Sequence, residues 1–192
     1  EPEYRQRAQH NPEAKHQIGA IASSLIEKGD MVFINSGTTT TQVIHQIRND
    51  AEISIFTNNF NAAHEMDAPG FHHYLVGGEY QPRSKSLAGR FAMENLEQVY
   101  ANKVIIGVDG ISLKYGCTVP TNAEAEGIKK MIERTTGSII IVADHSKWGV
   151  VSNFQISAID EIDVLITDEA FDKSAFKSLE KHSVKIMIAK EN

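Results

Sequence analysis

The chain has 192 residues, which suits one large α/β domain that can bury a proper core. Its 19 Lys and Arg residues against 25 Asp and Glu residues give a formal net charge of −6, which argues against nucleic-acid binding by this chain alone. A single cysteine, Cys117, excludes a disulfide framework and a cysteine-rich metal site. The eight histidines show no paired ligand spacing, so we predict neither a structural metal nor a cofactor.

Hydropathy along the chain gives no sign of export or of membrane insertion. No segment has the pattern of a signal peptide, and no apolar run reaches the roughly 18 residues that a membrane span needs. We therefore expect a soluble cytoplasmic protein with no membrane partner.

The chain opens with a polar segment. Residues 1–10 lack apolar periodicity, which predicts a linker or arm rather than part of the core. Asn11, Pro12 and Glu13 then have the features of a helix start, with a cap, a proline in the first turn and an acid near the positive end of the dipole. The folded domain is expected to occupy residues 11–192.

Residues 31–47 read as a buried strand, a tight loop and a helix. Met31–Ile34 is apolar without alternation, as in a strand covered on both faces. Gly37 can turn with positive φ or let a ligand approach, and Thr39 with Gln42 has capping-box spacing. Free backbone amides and hydroxyls at a helix start form an anion site, so we predict phosphate binding by Ser36, Gly37, Thr38, Thr39 and Thr40. An ordinary βα turn with a good cap is the alternative.

Strand-like and helix-like segments alternate through the rest of the chain. Further strands are predicted near residues 53–56, 74–76, 103–106, 138–142, 164–166 and 184–188, with helices near 88–96, 121–135 and 173–181, a turn at 69–70 and an irregular stretch at 116–120. This order predicts an α/β fold with a mostly parallel, doubly wound sheet flanked by helices.

Ligands of such sheets lie beyond the carboxyl ends of the strands, where several polar residues and glycines of this sequence fall. As contacts to the sugar part of a phosphorylated polyol we predict Asn35, Asn58, Asn59, Gly77, Gly78, Asp109, Glu124 and Lys147. All of them except Asn35 have a plainer alternative: helix capping for Asn58, Asn59 and Glu124, turn chemistry for the glycines and the aspartate, and a solvated surface position for the lysine.

With these pieces placed, the chain resembles a known family. Six motifs occur in the order seen in the effector domain of DeoR-type bacterial transcription regulators: Asn35-Ser-Gly-Thr-Thr-Thr40, Thr57-Asn58-Asn59, Leu75-Val-Gly-Gly78, Gly107-Val-Asp-Gly-Ile-Ser112, Ala143-Asp-His-Ser-Lys147 with Gly149, and Asp163-Val-Leu-Ile-Thr-Asp168. The lead-in Arg7…Lys15…Ile18 also resembles the family's entry into that domain. The chain departs from the family at Asn35, where an aspartate is common, and this leaves open which hydroxyls are recognised.

The resemblance implies a sugar-phosphate sensor on a fold shared with ribose-5-phosphate isomerase and glucosamine-6-phosphate deaminase. It implies a regulator of sugar-metabolism genes, expected to be a repressor, that acts as a homo-oligomer, dimer or tetramer, and contacts operator DNA only through an N-terminal helix-turn-helix domain missing here. The sequence leaves open the sugar, the sign of regulation and the oligomeric state. Residues 1–10 would then be the linker from that domain.

An enzyme is the competing class. A sugar-phosphate isomerase needs a positioned base and a group that stabilises the enediolate, and Asp109, Glu124 and Lys147 could form a minimal acid–base set. Ribose-5-phosphate isomerases present Asp-Gly-Ala-Asp-Glu after the equivalent strand, whereas Ile111 and Ser112 follow Asp109-Gly110 here. We therefore expect no catalysis.

Overall fold

The computed structural model describes residues 3–48, 52–65 and 72–190. Within these ranges the α-helices are α1 (Tyr4–Gln9), α2 (Pro12–Ser24), α3 (Thr38–His45), α4 (Phe60–Glu65), α5 (Arg90–Glu97), α6 (Asn122–Glu133) and α7 (Phe176–Lys181). The strands are β1 (Met31–Ile34), β2 (Ser54–Thr57), β3 (His72–Leu75), β4 (Glu79–Gln81), β5 (Ser86–Ala88), β6 (Ala101–Gly107), β7 (Gly110–Ser112), β8 (Gly116–Val119), β9 (Thr135–Val142), β10 (Phe154–Ser157), β11 (Val164–Asp168) and β12 (Lys185–Ala189). The predicted turn at 69–70 lies outside the described residues.

Seven parallel strands form the main sheet, in the order β12-β11-β9-β6-β1-β2-β3. From β1 the chain builds outward through β2 and β3, and then crosses to the other side with β6, β9, β11 and β12. The sheet is therefore doubly wound, as predicted, and its switch point lies between β1 and β6. Ligands of open α/β sheets bind at this position.

The apolar run of β1 shows why the strand is buried on both faces. Phe33 packs into the core on the side of α5, α6 and α7, while Val32 and Ile34 pack into the core under α2 and α3. Alternate side chains of a strand point to opposite faces, so a strand between two helical layers must be apolar throughout.

A small antiparallel sheet in the order β10-β8-β7 lies beside the main one. The prediction of an irregular stretch at 116–120 is wrong, because Gly116–Val119 is the central strand of this sheet. Gly116 has φ +66°, and a Cβ there would lie 2.0 Å from the Ser157 carbonyl oxygen. The strand is short, begins with a glycine that its packing requires, and depends on distant partners, so local sequence does not reveal it.

The N-terminal segment is helical and packs on the domain. Tyr4, the first residue of α1, is buried, and its hydroxyl lies 2.7 Å from the Thr41 hydroxyl of α3. Residues 4–9, which the sequence predicts to be part of a linker or arm, therefore form a helix that packs on the domain through Tyr4. A six-residue helix with one buried aromatic has too little apolar periodicity to be recognised from sequence.

Helix α3 begins earlier than the capping-box spacing of Thr39 and Gln42 predicts, because the cap residue is Gly37, two residues before Thr39. Gly37 has φ 177°, so its backbone is extended, and of its two predicted roles the positive φ is not observed while the close approach of a ligand stays a prediction. The hydroxyls of Thr40 and Thr41 both donate to the Gly37 carbonyl, at 3.1 and 2.8 Å. Helix α6 has Thr121 as its cap residue, and the Thr121 hydroxyl accepts from the Glu124 amide at 3.3 Å, which agrees with the plainer alternative for Glu124.

In the described ranges, the helices are all too short or too polar to cross a lipid bilayer.

Candidate functional site

A cavity of about 320 Å³ opens at the switch point of the main sheet. It lies beyond the carboxyl ends of β1 and β6, and its walls come from the β1–α3 loop, the end of β6, the segment after β9, and α1 with the start of α2. The lining residues are Gln6, Arg7, His10, Lys15, Ser36, Gly37, Thr38, Thr39, Gly107, Val108, Asp109 and Lys147.

The start of α3 supplies hydrogen-bond donors to this cavity. Within the described parts of the chain, the backbone amides of residues 37–40 donate to no protein acceptor. They belong to the positive end of the helix dipole, and three of these four residues line the cavity. Amides arranged in this way bind phosphate and other anions.

Asn58 holds together two of the loops that frame the cavity. The Asn58 side-chain oxygen accepts from the Ser36 amide at 2.8 Å, while its nitrogen donates to the Leu87 carbonyl at 3.1 Å. The Ser36 hydroxyl donates to the Ser84 carbonyl at 3.0 Å, so it faces the neighbouring loop. Ser36 therefore forms part of the cavity wall, while its hydroxyl is hydrogen-bonded to the neighbouring loop.

Three cations converge on the cavity from different elements. They are Arg7 of α1, Lys15 of α2, and Lys147 after β9. Arg7 Nη1 lies 3.4 Å from Asp109 Oδ1, and Lys147 Nζ lies 3.9 Å from the same oxygen. One carboxylate thus lies between two cations, and the amides of α3 add further positive potential. The arrangement suits a ligand with a strongly anionic group and neighbouring hydroxyls.

Lys15 is a buried cation. Burial lowers the pKa of its ammonium, Asp144 opposes this shift, and the nearby charges of Lys147 and Arg7 add to it. Its Nζ lies 3.9 Å from Asp144 Oδ2. Burial alone would raise the pKa of Asp144, but hydrogen bonds from Ser146 and Asn11, together with Lys15, hold it below its usual value. The low pKa of Asp144 favours its carboxylate form, and this negative charge favours the protonated form of Lys15 against the effect of burial.

A second, narrow cavity of about 20 Å³ adjoins the main cavity, and Val119 of the second sheet is part of its lining. It shares Arg7 and Asp109 with the main cavity and is also lined by Asn35, Asn58 and Glu124. These three predicted sugar-binding residues are thereby brought next to the predicted phosphate loop.

Four predicted site residues line neither space. Thr40 is fully buried and bonded to Gly37, and buried Asn59 donates to the Thr41 hydroxyl at 2.8 Å and caps α4 by accepting from the Ala62 amide. Gly77 donates its amide to Asn95, and a Cβ on Gly78 would lie 2.5 Å from the Ala88 carbonyl oxygen. The positions of these four residues support structural roles. For Asn59, Gly77 and Gly78 this agrees with the plainer alternatives of capping and turn formation.

The sequence-based site prediction omitted six residues that line the cavity, namely Gln6, Arg7, His10, Lys15, Gly107 and Val108. The first four belong to the segment from α1 to the start of α2, which folds across the switch point, and the last two lie at the end of β6. The only signal for two of them was the family-like lead-in Arg7…Lys15, because their spacing by itself carries no recognised chemistry.

Comparison with known proteins places this sequence in a family. Residues 10–169 match the model of the DeoR C-terminal sensor domain. The chain is 33% identical over 181 residues to the HTH-type transcriptional repressor GlcR of Bacillus subtilis, covering 94% of this chain and 69% of that protein. It is 29% identical over 192 residues to a putative aga operon transcriptional repressor of Escherichia coli O157:H7, covering all of this chain and 71% of that protein.

Solved structures share the fold at low sequence identity. Ribose 5-phosphate isomerase A from Methanocaldococcus jannaschii matches with a TM-score of 0.50 at 13% identity, over 72% of this chain and 55% of that chain. The eIF2B beta subunit from Chaetomium thermophilum matches with a TM-score of 0.53 at 16% identity, over 80% of this chain and 48% of that chain. These likenesses concern the fold, whereas the sensor-domain match spans most of the sequence: the chain belongs to the DeoR family of transcriptional regulators, as its C-terminal sensor domain.

Proposed function

We propose that this sensor domain binds a phosphorylated sugar in the switch-point cavity. The observation that carries the proposal is the convergence of the free amides at the start of α3 with the cations Arg7, Lys15 and Lys147. The phosphate would accept hydrogen bonds from the amides of residues 37–40 and would offset the charge of the cations.

The sugar would extend from the phosphate toward the narrow part of the cavity. Asp109 lies at the junction of the two spaces, and Asn35, Asn58 and Glu124 line the narrow part. Carboxylate and amide groups accept and donate the hydrogen bonds that sugar hydroxyls require. These four residues, with Lys147, are our proposed contacts to the sugar part.

The ligand would regulate transcription through an attached DNA-binding domain. The relatives named above are called transcriptional repressors, and GlcR is described as HTH-type. We extend this to a cytoplasmic repressor whose helix-turn-helix contacts operator DNA under ligand control. Two-fold symmetric operators favour a symmetric assembly, so the functional form would be a dimer or tetramer.

A thermal-shift panel tests ligand binding. The chain is heated with phosphorylated sugars such as ribose 5-phosphate and glucose 6-phosphate, with their unphosphorylated sugars, and with inorganic phosphate. A ligand at about 100 times its Kd stabilises the fold by roughly 2.7 kcal/mol, which raises the melting temperature visibly. Stabilisation by a sugar phosphate but not by its parent sugar is the expected result. Stabilisation by none of the phosphorylated compounds would argue against the proposal.

Samples from the same panel test the enzymatic alternative. After incubation with the chain, each sugar phosphate is examined by NMR for conversion into an isomer. We expect the compound that stabilises the fold to be recovered unchanged. Rapid isomerisation would show an enzyme and contradict the sensor proposal.

A further inference from the structure

We infer that occupation of the anion site and docking of helix α1 are one coupled event, with Arg7 and Lys15 as the coupling residues. The inference rests on the proposed function and adds a means by which the same site is regulated. Helix α1 lies outside the region that matches the family model, which begins at residue 10.

Helix α1 is attached to the elements that build the anion site. The Thr41 hydroxyl donates to the Gly37 carbonyl, so its oxygen accepts from Asn59 and from the Tyr4 hydroxyl. Thr41 belongs to α3, whose first turn faces the cavity. The Tyr4 amide also donates to the Arg83 carbonyl at 3.0 Å.

Lys15 joins the other end of α1 to the cavity. Its Nζ donates to the Arg7 carbonyl at 2.6 Å and to the His10 carbonyl, and so binds carbonyls at the end of α1. The same ammonium group lines the cavity and faces Asp144. Displacement of α1 would therefore remove two acceptors from a buried cation, which is unfavourable.

Docking of α1 also places like charges close together. Arg7 joins Lys15 and Lys147 around one space, and both neighbours act to lower the pKa of Lys15. An anion in that space would offset this repulsion, and it would contact Arg7 only when α1 is docked. The docked form should therefore bind an anion more tightly than the undocked form, and by linkage an anion must favour docking.

This coupling would make the attachment of the chain on the N-terminal side of the domain depend on whether the anion site is occupied. A segment that precedes Glu3 is joined to the sensor through α1. Its attachment would be firm when the site is occupied and looser when the site is empty.

Hydrogen exchange measured by NMR on this chain, with inorganic phosphate as the probe, tests the coupling. The amides of Arg7 and His10 report on α1, since they donate to the Glu3 and Arg7 carbonyls. We expect saturating phosphate to slow their exchange by about 5-fold or more. Amides of α7, which contributes no residue to the cavity lining, should not change.

Two variants of α1 separate the charge from the helix itself. Arg7→Gln should weaken phosphate binding and abolish the ligand-dependent protection. Arg5→Gln is the matched control, because Arg5 is on the same helix, is exposed and does not line the cavity. Equal protection in both variants would overturn the inference.

A third variant tests docking without altering the cavity wall. Tyr4 does not line the cavity and belongs to neither main core cluster, so Tyr4→Ala should leave the domain folded while releasing α1. Phosphate binding should then weaken by about 5-fold or more, whereas Tyr115→Ala, at an exposed tyrosine elsewhere, should bind normally. Unchanged affinity in Tyr4→Ala would overturn the coupling.

The outcomes distinguish the inference from the function on which it rests. If phosphate protects the start of α3 but leaves α1 unchanged, the coupling is wrong and the binding proposal stands. If neither phosphate nor any sugar phosphate binds, both are wrong.

Discussion

The side-chain amide of Asn35 forms both hydrogen bonds that the Gly107 backbone offers. Its nitrogen donates to the Gly107 carbonyl at 3.0 Å, and its oxygen accepts from the Gly107 amide at 2.8 Å. Asn35 directly follows β1 and Gly107 ends β6, so this pair joins the strands on either side of the switch point. An aspartate could accept but could not donate, and its charge would face the Gly107 carbonyl.

We therefore predict that Asn35→Asp destabilises the fold and weakens phosphate binding. Loss of a satisfied hydrogen bond at a site this buried costs about 1–3 kcal/mol, and the added negative charge lies next to the anion loop. Urea unfolding gives the stability and calorimetric titration gives the affinity. Asn153→Asp, which adds the same charge at an exposed residue, is the control. Equal stability and affinity in the two variants would refute this role.

Gly37→Val should block the phosphate loop without unfolding the domain. The backbone of Gly37 is extended, so valine adopts it without strain, but a Cβ there lies 3.0 Å from the Thr40 hydroxyl oxygen and borders the free amides. We expect phosphate affinity to fall at least tenfold, roughly 1.4 kcal/mol. At Gly127 an added Cβ meets nothing within 4 Å, so Gly127→Val is the control. Wild-type affinity in folded Gly37→Val would show that the loop is not the phosphate site.

Asp109→Asn should affect inorganic phosphate and sugar phosphates in opposite directions. Asp109 competes with an anion for Arg7 and Lys147, so its neutralisation should strengthen binding of inorganic phosphate. A sugar phosphate should instead bind less tightly, because it loses a charged acceptor worth about 1.5–3 kcal/mol per hydrogen bond. Calorimetry with both ligands measures the ratio of the affinity for sugar phosphate to the affinity for inorganic phosphate. If this ratio in Asp109→Asn equals that of the wild type, Asp109 does not contact the sugar.

Acid should weaken the fold partly through Asp30. Burial opposes ionisation of this carboxyl, but hydrogen bonds from Lys103, the Glu27 amide and Asn102 outweigh burial and hold its pKa below the usual 3.8. A lowered folded pKa means that the stabilisation is complete above pH 3.8 and is lost as the pH falls through the folded value.

Asp30→Asn is therefore expected to lower the free energy of unfolding by about 1–3 kcal/mol at neutral pH. The difference from the wild type should shrink as the pH falls through the pKa of Asp30 in the folded protein. Urea unfolding across the pH range measures the difference, with exposed Glu169→Gln as the control. A difference from wild type that is independent of pH would contradict the assignment.

The main sheet could be predicted from sequence because each strand carries its own signal. Met31–Ile34 is apolar on both faces, and polar residues and glycines mark where successive strands end. The second sheet could not be predicted from sequence, because Gly116–Val119 forms a strand only by pairing with strands that lie before and after it in the chain. Non-local pairing of short strands leaves little trace in local composition.

The candidate site likewise has one part that local sequence predicts and another part that it does not. The proposed phosphate loop is a local strand–loop–helix unit, so its residues Ser36, Gly37, Thr38 and Thr39 could be predicted as a unit from sequence, and the structure puts them in the cavity wall. Arg7 reaches the site because α1 folds over the switch point and is fixed by Tyr4, and Lys15 reaches it from the start of α2. Such long-range placement depends on tertiary packing, which the spacing of two cations does not encode.

The most direct test of the sensor proposal is a ligand titration of the full-length regulator with and without operator DNA. The operator is first selected from random DNA, and the sugar phosphate that stabilises the fold most is then titrated at fixed salt. Linkage requires operator to change ligand affinity by the factor by which ligand changes operator affinity, and allosteric couplings usually fall between about 5- and 150-fold. We predict a change within this range. Identical ligand affinities in the two titrations would contradict a regulatory role for this domain.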